Sequence, residues 1–430
     1  MAMVVKNNMS AISTLNTLNK NSSALAKSLQ KVSSGMKINS AADDASGYAI
    51  SERMRVQIRG LDQANQNTQN GTSMMKVAEG AVSSTVDILK TLKEKVINAA
   101  NDTNTDADRA TIQKELDQSI DQINDNANVT YNGKYLVDGS KNAATGGTCT
   151  ALTNESLHSD TTFEKTFSEL SDRNGNSLNI NSLDTVTMSW VKEGVTCTAS
   201  VQASAKMNAL INQASADFGT SSVSSFIGKD LAGDTVATAD KGNALTLVAN
   251  ASGVSNQISG ITFSVTNTKG QVQKSANAVL DNFSESIRAQ NKSADNQITL
   301  QVGTKANQSI KVGLTDMRAE ALGLQSSSGQ TIQIGTQGQA NAAVNVLDNA
   351  VQKALDQQTT IGAVQSRLSY TSNNLTTASE NVQSSESTIR DADMAKEMTE
   401  YTKNNVLLQA AQSMLAQANQ SSSSVLSLLQ

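Results

Sequence analysis

Residues 347–389 read LDNAVQKALDQQTTIGAVQSRLSYTSNNLTTASENVQSSESTI, with an apolar side chain at every seventh position. These positions are Leu347, Ala354, Ile361, Leu368, Leu375, Val382 and Ile389. A second position carries mostly small residues, at Ala350, Val364, Ala378 and Ala392. This period, with polar residues between, is typical of long helices that pack as a left-handed coiled coil.

A matching pattern in the first third of the chain supplies partners for this helix. Met75, Val82, Leu89 and Val96 are seven apart, and Ala78, Leu92 and Ala99 take the companion position, which Thr85 interrupts. Residues 107–125 predict a third helix with Ile112, Leu116, Ile120 and Ile123 on one face. We expect these helices to bundle into a rod.

Each end of the chain carries a thin apolar stripe among Asn, Ser, Gln and Thr. The first stripe is Leu15, Leu18, Ser22, Leu25, Leu29, Val32 and Met36; the second is Met394, Met398, Tyr401, Leu408, Ala411, Leu415 and Ala418, with one slip at Leu408. Neither stripe buries enough apolar surface to offset the ordering entropy of its helix. Each end therefore requires a partner.

The stretch from Ser33 to Gly47 marks the end of one helix and the start of another. Gly35 is a natural left-handed stop. Ser40, with Asp43 three residues later, predicts the cap of the next helix and places negative charge at its positive end.

The middle of the chain has a different texture. Asn132-Gly133 lies between two short strand-like runs and predicts a tight hairpin. From 141 to 296 the heptads vanish; runs around Val186–Trp190 and 195–201 alternate about a turn at 192–194, and further runs at 245–248 and 261–265 flank a short helix near Met207. The predicted fold is mainly α: an elongated helical rod with long terminal coiled-coil helices and an inserted α+β surface module.

Composition restricts the class of function. The 430 residues include no proline and only 3% aromatics, which suits uninterrupted helices better than a large compact core. The net charge of −5 is spread without a basic cluster, so nucleic acid is an unsuitable partner. The first residues lack the apolar core of a secretory signal and no run is long enough to span a membrane. The chain is expected to stay in the cytosol or to leave by a route that reads another signal.

Few residues suggest chemistry, and we predict no enzyme, cofactor or metal site. His158 is the single histidine, and a solvated loop position is its expected role. The carboxylate pairs Asp43-Asp44 and Asp391/Asp393 are expected to cap helices. Cys149 and Cys197 both lie in the inserted module; a disulfide formed in an oxidising exterior and two free thiols remain equal alternatives.

The terminal motifs resemble those of bacterial flagellin. They comprise residues 12–29 and 33–47, the run 70–81, Ile389-Arg390-Asp391-Ala392-Asp393-Met394, and the closing stretches 405–420 and Val425-Leu426-Ser427-Leu428-Leu429. The likeness covers about residues 1–140 and 298–430; Lys37 stands where flagellins usually carry Arg. It implies inner-tube helices at 1–40 and 389–430, two halves of a helical rod at 41–140 and 297–388, and a variable surface module at 141–296.

The resemblance also implies a function and a set of partners. The protein would polymerise into the flagellar filament for swimming, after export by the flagellar type III system, with the terminal stripes as the polymerisation seam. An export chaperone, the cap and the hook–filament junction proteins would be its partners. Innate immune receptors recognise many flagellins; here Thr91 and Lys95 replace the Arg and Leu of strongly recognised members, and Glu115 matches an acidic contact position.

Three alternatives are also consistent with the sequence. A hook–filament junction protein shares the terminal helices but usually lacks the full set of end motifs. A surface adhesin or enzyme would use the inserted module, although the module has no clustered catalytic residue types. A chemoreceptor-like coiled coil should have a membrane span or an obvious ligand domain, and the chain shows neither.

Overall fold

The computed structural model describes residues 8–214, 217–218 and 244–427. Leu428 and Leu429 of the closing motif lie outside these ranges. The described residues form two compact units. The terminal unit comprises those up to Thr68, Gln301–Gln308 and those from Tyr370; the central unit comprises Gln69–Leu300 and Ser309–Ser369.

Two antiparallel helices from opposite ends of the chain form much of the terminal unit. Helix α1 spans Met9–Ser34 and α8 spans Met394–Ser427. Helix α1 ends where Gly35 adopts the left-handed conformation (φ 68°) and returns its N–H to the Lys31 carbonyl, as predicted. The unit also contains the first part of α2 (Ala45–Ala99) and the last part of α7 (Gln337–Arg390), which share a small core of Leu61, Ala64 and Leu375.

The start of α2 corrects one prediction. Asp44, rather than Ser40 with Asp43, caps the helix: its Oδ1 accepts from the N–H groups of Ser46 and Gly47, both at 3.0 Å. Asp43 instead closes the preceding turn by accepting from the Ser40 N–H and hydroxyl at 3.0 and 3.1 Å. The adjacent Asp44 is nearer the first free N–H groups and therefore takes the capping role.

The central unit contains the predicted helical bundle. It comprises the remainder of α2 and α7, together with α3 (Asp106–Ala127). All the heptad positions at Met75, Val82, Leu89 and Val96 are fully buried, as are Leu347, Ala354, Ile361 and Leu368. The seven-residue period is thus confirmed as the core stripe of this bundle.

Both predicted hairpins are present in the central unit. Strands β1 (Thr130–Tyr131) and β2 (Lys134–Tyr135) pair across Asn132-Gly133. Strands β4 (Thr185–Lys192) and β5 (Val195–Gln202) pair in register, and Glu193-Gly194 forms the two-residue turn, so Lys192 belongs to the strand. Val186, Met188 and Trp190 are buried as the alternation predicts, but Val195 at the hairpin end is 42% exposed.

Two three-stranded antiparallel sheets enclose the core of the inserted module. One has the order β5-β4-β7 and the other β6-β3-β8. Their remaining strands are β3 (Ala151–Asn154), β6 (Leu245–Val248), β7 (Ile258–Thr266) and β8 (Phe283–Ile287). The module also has helices α4 (Met207–Gln213) and α5 (Lys274–Leu280); a further hairpin, β9 (Ile298–Gln301) and β10 (Ser309–Val312), and the short α6 (Ala319–Leu322) lead to α7.

Side chains form hydrogen bonds with the backbone groups along the free edge of β7. Asn345 and Asn349 of α7 donate to the carbonyls of Ile261 and Ser259 at 2.9 and 2.8 Å. Further along, Asn277 accepts from the Val265 N–H at 2.8 Å. An exposed strand edge is a site of unwanted pairing, and here the rod helix covers it. The inserted module is therefore docked on α7 through its backbone.

Within residues 8–214, 217–218 and 244–427, every helix is too short or too polar to span a membrane.

Candidate assembly interface

Helices α1 and α8 meet along a stripe that we call the terminal seam. On α8 it runs through Glu397, Tyr401, Asn404, Leu408, Ala411, Leu415 and Ala418, all buried or half-buried, with an unbroken 4,3 spacing. On α1 the matching positions are Ala11, Thr14, Leu18, Asn21, Leu25, Ser28 and Val32. The terminal seam is therefore a regular heptad contact that includes polar residues.

Polar pairs across the terminal seam explain why these residues are tolerated there. Ser28, 5% exposed, accepts a 2.8 Å hydrogen bond from the Asn404 amide. Lys31 Nζ lies 3.6 Å from Glu397 Oε1, and Glu397 is 9% exposed. Asn8 and Asn21 donate to the carbonyls of Ala418 and Leu407, both at 3.2 Å. Buried polar groups that find partners of this kind fix the register of a helix pair.

The structure places the predicted stripe residues in two groups. Leu18, Leu25, Val32, Leu408 and Leu415 are half-buried along the terminal seam. Leu15 and Leu29, by contrast, remain exposed because α1 uses residues 14, 21 and 28 as the second seam position. Met394 and Met398 are also exposed, since Glu397 and Asn404 fill the seam positions and the slip expected at Leu408 does not occur. An apolar pattern could not reveal a seam whose second position is polar.

Large apolar side chains outside the terminal seam face solvent in the single chain. Leu29 is 51% exposed and Met414 is 62% exposed. The others on these two helices are Met9, Ile12, Leu15, Met394, Met398, Val406 and Leu407. A concentration of exposed apolar side chains on two paired helices is typical of interaction surfaces.

The two turns that precede α2 and α8 are bonded to each other. The Lys37 N–H donates to the Arg390 carbonyl at 2.7 Å, and the Ala392 N–H donates to the Gly35 carbonyl at 2.9 Å. Arg390 is 5% exposed, donates to Glu52 at 2.6 Å and lies 5.4 Å from the centre of the Tyr48 ring. Its hydrogen bond is the main reason that the pKa of Glu52 is lowered. Sequence reasoning missed this role of Arg390, whose partner is 338 residues away.

The acidic pairs near these turns act locally. Asp393 caps α8 by accepting from the N–H groups of Ala395 and Lys396 at 3.0 and 3.3 Å. Asp391 accepts from the Ser387 hydroxyl at 2.5 Å. Of the four predicted caps, Asp44 and Asp393 therefore act as helix caps.

The predicted receptor-contact residues lie on α2 and α3 of the central unit. Lys95 Nζ lies 2.9 Å from Glu115 Oε1, so these two side chains form an ion pair between the helices. Thr91 is exposed, and its hydroxyl donates to the Asp87 carbonyl at 3.1 Å. The residues are thus brought onto neighbouring helices, and the charge of Glu115 is partly compensated.

The remaining candidate residues lie in the inserted module. Cys149 and Cys197 are free thiols, the first buried and the second half-buried, and both contact the module core. Burial raises the pKa of both thiols. His158 Nδ1 lies 3.7 Å from Asp160 Oδ2 and accepts from the Asp160 N–H at 3.3 Å. Within the described ranges, no group of three or more His, Cys, Asp or Glu side chains could hold a metal.

Comparison with known proteins agrees with this arrangement. Residues 5–142 match the bacterial flagellin N-terminal helical region, and residues 344–429 match the bacterial flagellin C-terminal helical region. A flagellin of Clostridium tyrobutyricum is 33% identical, covering 97% of this chain and 99% of its own length. A flagellin of Bacillus subtilis (strain 168) is 30% identical, covering 99% and 100%. A structure of FliC from Burkholderia pseudomallei covers 69% of this chain and 99% of its own, at 16% identity and a TM-score of 0.26, too low to support an argument.

Long terminal helices packed as a pair, with rod helices that carry an inserted sheet-containing module, define a helical structural protein. The chain belongs to the bacterial flagellins. It is accordingly a structural subunit of the flagellar filament, from a family that is structural rather than enzymatic.

Proposed function

We propose that the exposed apolar side chains of α1 and α8 pack against neighbouring copies of the same chain and so drive filament assembly. Their exposure in the single chain, on helices already paired along the terminal seam, is the observation that supports this proposal. Fully burying a Leu or Met side chain contributes about 1.5–3 kcal/mol. Burying the remaining surface of each half-exposed side chain between subunits would therefore stabilise the assembly by about 1 kcal/mol. Repeated contacts that do not close into a ring produce an open helical polymer.

Seeded assembly tests this proposal. Purified chain is added to short flagellar fragments and viewed by electron microscopy beside a truncation that lacks residues 404–430. We expect tubular filaments from the intact chain and none from the truncation, because the truncation removes most of α8 and exposes the terminal seam of α1. A truncation that elongates seeds as well as the intact chain would contradict the proposal.

We also infer that the flagellar type III system exports the chain to an extracellular filament, and that an export chaperone covers α8 beforehand. The sequence after Lys403 has no charged side chain, and Val406, Leu407 and Met414 in this segment are exposed. An apolar helix surface of this kind fits the hydrophobic groove of a chaperone before export and can pack against a neighbouring subunit afterwards. Substituting Val406 and Leu407 with Ser should weaken co-purification of the chaperone, whereas Gln409→Ser on the same helix should not.

At the two filament ends, the same terminal helices are proposed to contact the hook–filament junction proteins and the cap. Membership of the flagellin family supports this assignment. Variants that block seeded growth through α1 or α8 should also fail to bind purified junction protein. Normal binding of the junction protein by such variants would show that subunit assembly and junction binding use different contacts.

An innate immune receptor is a further proposed partner, with weak activation. The Lys95–Glu115 ion pair supports this direction, because a receptor cation would have to compete with Lys95 for the Glu115 carboxylate. The double variant Thr91→Arg/Lys95→Leu should therefore activate receptor-expressing reporter cells more strongly than the natural chain. Lys90→Leu, which removes a lysine from a neighbouring exposed ion pair, serves as the control. Equal activity of the double variant and the natural chain would contradict the assignment.

A further inference from the structure

Three buried polar side chains from three separate segments of the central unit meet at one point. Lys353 lies on α7, Glu285 on β8, and Gln257 directly before β7. Lys353 and Gln257 are 5% and 3% exposed, and the Glu285 side chain is 5% exposed. Two of these residues belong to the inserted module and the third to the rod helix on which the module is docked.

The hydrogen-bond network fixes the orientation of the Gln257 amide. Its oxygen accepts a close hydrogen bond from Lys353 Nζ, and its nitrogen donates to the Ala321 carbonyl at 3.3 Å. The carbonyl carbon of Gln257 is therefore one bond from the atom that the lysine touches. Reacting groups held in contact within a protein gain a large rate advantage over the same groups in solution.

Glu285 is placed to move protons for this pair. Its Oε1 lies 3.2 Å from Lys353 Nζ and accepts a hydrogen bond from no other group among the described residues. Arg288 Nε lies 4.0 Å from the other carboxylate oxygen and is itself paired with Asp356. The carboxylate thus has an oxygen free to accept a proton from the lysine.

Burial favours the neutral forms of both groups. Desolvation lowers the pKa of Lys353 and raises the pKa of Glu285, and in each case it outweighs the attraction between the two charges. A neutral lysine is a nucleophile, and a carboxyl group that exchanges its proton readily is a general acid–base. The surroundings therefore favour reaction as well as contact.

We propose that Lys353 and Gln257 join spontaneously in an isopeptide bond, with Glu285 as the proton carrier. Glu285 takes a proton from the lysine, and the amine lone pair forms a bond to the Gln257 carbonyl carbon as the carbonyl π electrons move to oxygen. Glu285 then transfers that proton to the Gln257 amide nitrogen and takes one from the new C–N nitrogen, so the carboxyl group ends protonated. Collapse restores the carbonyl and expels ammonia. A primary amide and an amine become a secondary amide and ammonia, and no oxidant or cofactor is needed.

The bond would fasten the inserted module to α7 covalently. A cavity lined by Lys353, Ala321, Arg288 and Asn142 adjoins the lysine and offers a path for ammonia to leave. The amide contacts of Asn345 and Asn349 with β7 hold the same two parts together noncovalently. The crosslink would keep the module attached to α7 even when the noncovalent contacts between them are lost, as suits a subunit exposed to shear. The bond would form within a single chain, whether or not the subunits assemble.

Mass spectrometry of the full-length chain under denaturing conditions tests the crosslink. We expect an intact mass about 17 Da below the sequence mass, the loss of one ammonia, and a branched tryptic peptide that joins the segments containing residues 257 and 353. Succinimide formation at an Asn-Gly pair such as Asn132-Gly133 loses the same mass, so the branched peptide is the deciding signal. Recovery of Gln257 and Lys353 only in separate linear peptides from the natural chain would overturn the proposal.

Variants test the roles of Lys353 and Glu285. Lys353→Met and Glu285→Gln should both abolish the branched peptide, the first by removing the nucleophile and the second by removing the proton carrier. Lys311→Met is the matched control, because Lys311 forms an exposed ion pair with Asp295 at 2.7 Å. This variant should give the same yield of the branched peptide as the natural chain. A full yield of branched peptide in Glu285→Gln would overturn the role of Glu285. Should a variant fail to fold, the natural chain alone still decides whether the bond exists.

Discussion

Gly133 and Gly194 occupy the same position in two tight hairpins, with the same φ of 74° after a residue at φ 50°. A Cβ on Gly133 would meet nothing within 4 Å, whereas one on Gly194 would lie 2.7 Å from the Gln330 carbonyl oxygen. Gly133→Ala should therefore cost only the left-handed strain of about 1–2 kcal/mol. Gly194→Ala should cost at least twice as much, because backbone must also move.

Urea unfolding of the two variants, monitored in the central unit, measures this difference. Equal losses of stability would show that the loop carrying Gln330 gives way easily. The sequence predicts both turns, since paired positive φ values favour Asn-Gly and similar dipeptides. It could not predict the contact with Gln330, which is 136 positions further along the chain.

Asp281 provides a second test at the scale of one residue. Its Oδ1 accepts a close hydrogen bond from the Phe263 N–H, and burial raises the pKa of the carboxyl to about 7. Because the folded pKa exceeds the unfolded value, this group stabilises the fold most below the unfolded pKa. That stabilisation is lost as the pH rises through about 7.

The natural chain should lose about 2 kcal/mol more stability than Asp281→Asn between pH 5 and pH 8. Asparagine keeps an acceptor for Phe263 but does not titrate. Asp160→Asn, an exposed loop substitution, is the control and should follow the natural chain. Parallel pH profiles for the natural chain and Asp281→Asn would show that Asp281 is ionised normally in the fold.

At the scale of helices, the heptads of the rod and those of the terminal seam differ in how far the sequence reveals them. In α2, apolar residues fill both seam positions except at Thr85, and every predicted position from Met75 to Val96 is buried. In α1 the second seam position holds Thr14, Asn21 and Ser28, whereas the apolar pattern predicts the adjacent Leu15 and Leu29, which are exposed in the single chain. The polar contacts with α8 come from residues almost 400 positions away and leave no local signal.

Lys31 and Glu397 give the terminal seam a testable dependence on charge. Lys31→Met should destabilise the α1–α8 pair by about 1–2 kcal/mol, because Glu397 is 9% exposed and would lose its ion partner. Hydrogen exchange of the backbone in α1 and α8 measures the effect. The double variant Lys31→Met/Glu397→Leu should recover protection, and Lys20→Met on the exposed side of α1 should have no effect. Loss of protection in the double variant equal to that in Lys31→Met would contradict this account.

At the scale of the whole molecule, the sequence predicts that the two terminal helices need partners. The structure shows which of their side chains are buried within one chain and which stay exposed. Within the chain, the terminal seam pairs the Ser28 hydroxyl with the Asn404 amide and Lys31 with Glu397. Leu15, Leu29, Met394 and Met398 retain exposed apolar surface that the single chain does not cover. A pattern in one sequence cannot separate these two sets, because both are apolar and helical in period.

Leu29→Glu tests whether this exposed apolar surface drives assembly. Leu29 and Gln30 are adjacent and exposed on α1, so Gln30→Glu adds the same charge beside it without removing an apolar side chain. The measurement is the critical concentration for seeded filament growth, with circular dichroism to confirm equal helicity of the monomers. We predict a rise of about tenfold or more for Leu29→Glu, equivalent to about 1.4 kcal/mol per subunit, and little change for Gln30→Glu. Unchanged growth of Leu29→Glu would contradict the claim.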